Sequence, residues 1–381
     1  MLLPLTNEPR DYAWGSRTLI AALEGREPAA VPEAEVWFGD HPSDPADLAD
    51  GRTLRDWIAE EGAAHGVAAP LPYLLKLLAA ASPLSIQVHP SKAQAEEGFA
   101  REAGLPGDAP RNYADDNHKP EMIVALSDRF EALCGLRAVA DSRRLLAALG
   151  PAADPLLERL TGDADLTAVL GWLLSGRADE AVAAIIAALD GAESTEFAPA
   201  LANARRIAAV YPGDPGVVVA LLMNYTVLRR GEAMFLRAGL LHAYVSGLGV
   251  ELMAASDNVL RGGLTPKHID VDELLRIVDA TPGPVPVVLP VSAEGGNRGV
   301  ESFPAPVPDF RLLRARVSEG GVARFLPTGP AIVLATSGEI TVESGGDAVA
   351  LTPGRAAFAT ADAGEIRVRG AGEAFLAQPG S

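Results

Sequence analysis

Residues 84–90 read Leu-Ser-Ile-Gln-Val-His-Pro, an apolar run interrupted by one amide and one imidazole. Leu84–Val88 has the length and composition of a buried strand. On a strand, residues two apart share a face, so Gln87 and His89 point the same way. Alone, such a pair is more often a core histidine hydrogen-bonded to an amide than a metal site, because glutamine is a weak metal signal.

Further along, Asn117-His118-Lys119-Pro120-Glu121-Met122 crowds donors, an ammonium and a carboxylate into one turn, ahead of a second buried-strand candidate at Met122–Leu126. By itself that string reads as a solvated turn. In Gly239-Leu240-Leu241-His242-Ala243-Tyr244, His242 and Tyr244 share a strand face, and Glu251, Asp257 and Arg261 follow. Asp257 and Arg261, four apart, make an ordinary surface pair when taken alone. Together the three stretches say more. Two histidines, a carboxylate and an amide carbonyl form a mixed nitrogen–oxygen set suited to zinc or a similar divalent ion. An ion so held stays Lewis acidic and polarises a hydroxyl or carbonyl oxygen. Lys76, Lys119 and Arg261 are cations suited to a phosphate. Glu251 and Asp257 are carboxylates suited to proton transfer. The residues therefore point to metal-assisted proton chemistry on a phosphorylated polyol or carbonyl compound, without naming it.

Around these stretches the chain changes character. Up to about Leu136, short apolar runs are broken by Pro, Gly and Asp. From Asp141, read as the cap of a helix over 142–149, the sequence turns Ala- and Leu-rich. Residues 178–189 place Ala181, Val182, Ile185, Ile186 and Leu189 on one helical face, and 196–210 reads as a third helix ended by Tyr211-Pro212-Gly213. After Pro215 strand signals return at Val217–Met223, Ala233–Leu236 and Gly239–Ser246. A short helix is expected at Val271–Val278, then a Pro- and Gly-rich linker at 282–290. Beyond Phe310, four short strands at Ile332–Ala335, Glu339–Glu343, Val349–Leu351 and Glu365–Val368 suggest an antiparallel sandwich or jelly roll. No histidine follows His268, so that last region is expected to hold no histidine-ligated metal.

Composition narrows the class. The 381 residues exceed one ordinary core, so two or three domains are expected. A formal charge of −18 opposes nucleic acid and anionic membranes as partners. One cysteine, Cys134, excludes an internal disulfide and fits a reducing cytoplasm, and the first residues predict no signal peptide. Of 32 basic residues only Lys76, Lys92, Lys119 and Lys267 are lysine, and all four fall in the stretches that carry chemistry.

Pro72-Tyr73-Leu74-Leu75-Lys76, Gln87-Val88-His89-Pro90, Asn117 to Met122 and His242 through Lys267 resemble the type I mannose-6-phosphate isomerases. So do Tyr12-Ala13-Trp14-Gly15 and the run Glu35 to Pro42. The resemblance spans most of 1–137 and 210–280. It implies a mainly β fold: two cupin-type jelly rolls plus an α-helical domain. The corresponding division is 1–137 and 213–300 for the catalytic jelly roll, 138–212 for the helical insert, and 301–381 for a metal-free C-terminal jelly roll. It also implies one Zn2+ per chain on Gln87, His89, Glu121 and His242. Lys76, Ser85, Tyr244 and Arg261 are implied as substrate-binding, with Arg261, Lys119, Asp257 and Glu251 as catalytic residues. The implied reaction interconverts D-mannose 6-phosphate and D-fructose 6-phosphate through an enediol, with Glu251, Asp257 and Lys119 all candidates for the proton carrier. A monomeric cytoplasmic enzyme of carbohydrate metabolism, including GDP-mannose biosynthesis, is expected, with a small sugar phosphate as its partner. Two departures stand out: Gly104-Leu105-Pro106-Gly107 lengthens the stretch between His89 and Asn117, and Asp40 replaces a smaller polar residue. A metal oxygenase of related fold would want more histidines, and a catalytically idle sugar-phosphate sensor would not need the whole ligand set.

Overall fold

The computed structural model describes residues 1–106 and 109–380; Gly107 of the lengthened stretch lies outside them. Two ten-stranded sheets, antiparallel in every described pairing, dominate, and five of the longer helices lie between residues 139 and 222. One sheet includes Glu35–Phe38, Tyr73–Ala80, Gln87–Val88, Glu121–Ala125, Phe130–Leu136, His242–Ala254 and Leu260–Arg261. The other is built mainly from residues 291–378, and Leu2–Thr6 joins it by pairing with Ala356–Ala359. The sheets therefore do not follow chain order: the first strand completes the sheet of the last region.

Side-chain alternation sorts the catalytic-region strands into layers. Leu75, Leu77, Met122, Val124, Val250 and Leu252 pack against Phe303, Phe358 and Phe375 of the other sheet and against Phe310 beside it, each fully buried side chain contributing about 1.5–3 kcal/mol. Residues on the opposite face, among them Leu78, Ile123, Ala125, Ala132 and Tyr244, form an interior cluster. Ile86, Val88, Ala243 and Val245 turn outward onto the helices. That packing leaves Gln87 and His242 facing inward.

Several elements differ from expectation. Val217–Met223 is not a strand: Gly216–Leu222 is a helix with all seven residues buried. A continuous apolar run suits a helix enclosed on all sides as well as a strand, and periodicity does not separate the two. Asp141 lies in the first turn of the helix Val139–Ala147 rather than capping it. Ile332–Ala335 and Glu339–Glu343 are one strand, Ala331–Ser344, bent by a bulge between Ala335 and Ser337. The glycine there is obligatory, since at Gly338 (φ +67°) a Cβ would lie 1.9 Å from the Ala371 carbonyl oxygen. Near the site, only Gln87–Val88 of Leu84–Val88 is strand. The helices Asp179–Ala188, Ala198–Val210 and Val271–Ile277 fall where the pattern put them. Among the described residues, no helix is long and apolar enough to cross a membrane.

Candidate active site

The strand His242–Ala254 supplies three polar groups through an irregularity. Glu251 lies seven residues beyond Tyr244, an odd separation that in a regular strand would put it on the opposite face. The pairing with Phe130–Leu136 shifts register between Tyr244 and Ser246, and this bulge restores the parity. His242, Tyr244 and Glu251 consequently line one cavity of about 480 Å³. Neighbouring strands fill the rows: Gln87 pairs with both His242 and Arg261, while Lys76 pairs with both Glu251 and Trp37.

At the cavity wall Glu121 and His242, with His89 set behind them and all three buried, bring one ligand atom each to within 4.8 Å of one another. His89 Nε2 is 3.3 Å from one Glu121 oxygen and His242 Nε2 is 3.4 Å from the other. Main-chain carbonyls select the tautomers. His89 Nδ1–H donates to the Asn258 carbonyl (2.7 Å) and His242 Nδ1–H to that of Leu240 (3.0 Å). A carbonyl only accepts, so in the neutral rings both Nε2 atoms turn lone pairs toward Glu121. Burial pushes the His89 imidazolium down to about 4 despite Glu121, and its Nε2 is buried without a hydrogen-bond partner. Two inward lone pairs and a carboxylate form a donor set that fits a divalent cation. The Gln87 amide nitrogen donates to Ser85 Oγ (3.2 Å), which leaves its carbonyl oxygen for the cavity.

The cations around this cluster are not equivalent. Lys119 Nζ lies 3.2 Å from Glu121. Burial would raise the Glu121 carboxyl, but His89, Lys119 and His242 hold it well below the usual range. Lys76 is buried between Glu251 (3.4 Å) and Glu35 (3.7 Å), with the Trp37 ring 4.7 Å away. Burial works against its charge, and the surrounding carboxylates outweigh burial and raise its pKa. Burial raises the Glu251 carboxyl and, with Glu251 nearby, the Tyr244 phenol; the Tyr244 hydroxyl is also buried without a partner. Arg261 is half-buried, and desolvation alone lowers its pKa.

The cavity thus brings together Lys76, Ser85, Gln87, Lys119, Glu121, His242, Tyr244, Glu251 and Arg261, with His89 behind them. Asp257 does not join them. Its carboxylate turns to His41 Nε2 (3.2 Å) and its backbone N–H donates to Asp115, so it lines a different cleft, with Pro70 and Leu71. The structure thus places Asp257 apart from the other candidates for the proton path. Lys92, another lysine of the chemical stretches, is exposed against Glu96 and Asp116, and His118 pairs with Asp309. Sequence reasoning gave no role to Glu35 and Trp37. The indole of Trp37 donates to Glu35 (2.8 Å), and alternation in Glu35-Val36-Trp37 was the signal for a shared face.

Residues 2–139 match the model of the phosphomannose isomerase type I catalytic domain. The chain is 38% identical to the mannose-6-phosphate isomerase of Salmonella typhimurium, over 92% of this chain and 93% of that protein. It is 33% identical to the Homo sapiens mannose-6-phosphate isomerase, over 92% and 89%. Among solved structures, a variant of the Salmonella typhimurium phosphomannose isomerase superposes over all of both chains with a TM-score of 0.89 at 34% identity. A mannose 6-phosphate isomerase bound with zinc and yttrium does so with a TM-score of 0.87 at 35% identity. A conserved architecture over nearly the full length, with a histidine–carboxylate cluster at its centre, shows that the chain belongs to the type I phosphomannose isomerase family of isomerases.

Proposed function

We propose that this chain is a zinc-dependent aldose–ketose isomerase that interconverts D-mannose 6-phosphate and D-fructose 6-phosphate through an enediol. The single observation that carries the reading is the buried His89–Glu121–His242 cluster, with two inward Nε2 lone pairs, opening onto a cavity that also holds Lys76 and Glu251. Gln87, His89, Glu121 and His242 would hold one zinc. When bound, the metal supplies Lewis acidity that offsets negative charge developing on the substrate oxygens.

The chain's own residues do the rest. Ser85, Tyr244 and Arg261 bind and orient the open-chain sugar, the unpartnered Tyr244 hydroxyl offering a hydrogen bond to it. A proton leaves C2, its bonding pair becomes the C1–C2 double bond, and a proton is delivered to C1 while the hydroxyl proton moves from O2 to O1. We assign the carbon-bound proton to Glu251 or Lys119 and leave Asp257 out. Lys76, between Glu35 and Glu251, fixes the position of Glu251. We read the fold as two cupin-type jelly rolls with a helical insert, and the enzyme as a cytoplasmic monomer.

A coupled assay with mannose 6-phosphate tests this, run before chelation, after it, and after zinc is restored. Activity is expected to vanish on chelation and return with zinc. His242→Ala is expected to lose metal and activity together. Full zinc occupancy in that variant would overturn the ligand assignment.

A further inference from the structure

Two irregular segments meet beside His89, and one buried amide joins them. Residues 111–120, which lead into the strand of Glu121, and residues 255–259, which lead to Arg261, belong to no helix or strand. Without a ladder to satisfy their backbone groups, these segments depend on side chains. Asn258, fully buried, lies between the two. Its side-chain oxygen accepts from the backbone N–H of Ala114 at 2.8 Å and faces that of Asp115 at 3.4 Å. Its amide nitrogen donates to the main-chain carbonyls of Asp115 and Asn117, both at 2.8 Å. Donors on one side and acceptors on the other fix the direction in which the amide points.

The same residue reaches the metal cluster through its main chain. The Asn258 carbonyl accepts from His89 Nδ1–H at 2.7 Å, and this bond leaves the Nε2 lone pair of the ring facing Glu121. That carbonyl lies outside regular structure, so its place depends on what holds residue 258. The Asn258 N–H donates to Ser256 Oγ (3.2 Å), whose hydroxyl donates to the Asp115 carboxylate (2.8 Å). The same carboxylate accepts from the N–H groups of Asn117 (2.9 Å) and Asp257 (2.8 Å). The Asn117 side chain returns a bond to the Ala255 carbonyl at 3.1 Å. The two segments thus form one closed knot, and its central side chain belongs to the residue whose carbonyl orients His89.

We propose that Asn258 is a positioning residue for the metal centre: its side chain fixes its own carbonyl, and through it the tautomer and direction of the His89 ring. The inference rests on the metal-ligand reading above and deepens it. An amide is required there. A carboxylate of the same shape keeps the bond from Ala114 but sets negative charge against the carbonyl oxygens of Asp115 and Asn117, which lose their donors.

The test uses full-length wild type, Asn258→Asp, Ser256→Ala and a control, Asn203→Ala. Asn203 is a buried amide of the helix Ala198–Val210 that lines neither the cavity nor the cluster. Zinc affinity is measured by competition with a chelator, and thermal stability is measured on the metal-free protein. Histidine-selective 15N spectra of the metal-free protein read the ring tautomers, with His89 assigned by its absence from His89→Gln. Asn258→Asp is expected to weaken zinc about 10–100-fold, the loss typical of a group behind a metal-bound histidine, and to mix the His89 tautomers. Ser256→Ala moves both readouts the same way by less. Asn203→Ala lowers stability and leaves the zinc affinity of the folded protein unchanged. Unaltered zinc affinity in folded Asn258→Asp, or a His89 ring that keeps its Nδ1–H tautomer there, would overturn the proposal. So would a zinc loss in Asn203→Ala equal to that of Asn258→Asp, which would make the effect one of stability alone. Should Asn258→Asp not fold, Ser256→Ala decides by the same two readouts, and a wild-type His89 ring lacking Nδ1–H removes the premise. If wild type binds no zinc, the ligand reading fails, while the spectra of the metal-free protein still judge the role of Asn258.

Discussion

Lys76→Met removes a buried ammonium and keeps most of its volume. The ammonium sits 3.4 Å from Glu251 and 3.7 Å from Glu35, all three side chains less than a tenth exposed. At an effective dielectric of about 20, each attraction is worth about 4.5–5 kcal/mol before desolvation is subtracted. Desolvation of the ions cancels much of that in the intact triad, so Lys76 need not add much net stability. Its removal is another matter, because two buried carboxylates are left facing each other without a cation. Breaking a buried pair in this way costs about 3–5 kcal/mol. The assay is guanidinium unfolding followed by tryptophan fluorescence, with zinc saturation held equal across variants. Lys76→Met is expected to lose about 3–5 kcal/mol, and Lys76→Met/Glu251→Gln to regain about 1–3 kcal/mol of it by removing one stranded charge. A loss below about 1 kcal/mol, the range of exposed pairs, would refute the claim that Lys76 is held as a buried ion between two carboxylates.

Arg261→Ala is expected to lower kcat/KM for mannose 6-phosphate about ten- to hundred-fold while zinc stays bound; a phosphate preference that survives undiminished would move Arg261 to the chemical step. Asp257→Asn is expected to retain activity within about three-fold, the scale of a surface change of roughly 0.5 kcal/mol, and a hundred-fold drop would return Asp257 to the proton path. The Cys134 thiol is fully buried, and burial pushes its pKa up to about 12. It should therefore resist a thiol reagent such as dithionitrobenzoate until the protein unfolds, and stoichiometric labelling of the native protein would contradict that packing.

Much of this site was legible because strand alternation is a strict rule. His242 and Tyr244, two apart on one strand, announce a shared face before the structure is seen, whereas His89 lies just past the end of the strand Gln87–Val88. Glu251 was legible as a carboxylate but not as a neighbour, since nothing in Tyr244–Glu251 announces the bulge that turns it inward. Asp257 was legible as a carboxylate but its direction was not, since the strand ends at Ala254 and the side chain beyond it turns to His41. The buried helix Gly216–Leu222 was unreadable for the converse reason: a run apolar on every side carries no period. Likewise, the paired state of Lys76 depends on partners far apart in sequence, which composition does not record.

The pairing of Leu2–Thr6 with Ala356–Ala359 sets a schedule for biosynthesis. A ribosome adding about 5–20 residues per second makes the roughly 350 residues between them in about 20–70 s. For that interval the first strand has only the short pairing with Asp47–Leu48 open to it, while most of the side chains of the proposed metal site are already outside the tunnel. The catalytic sheet is thus free to form well before the other sheet closes. Until it closes, the apolar face of the catalytic sheet that Phe358 and Phe375 later cover stays open, and a nascent chain in that state is the form a chaperone has most reason to hold.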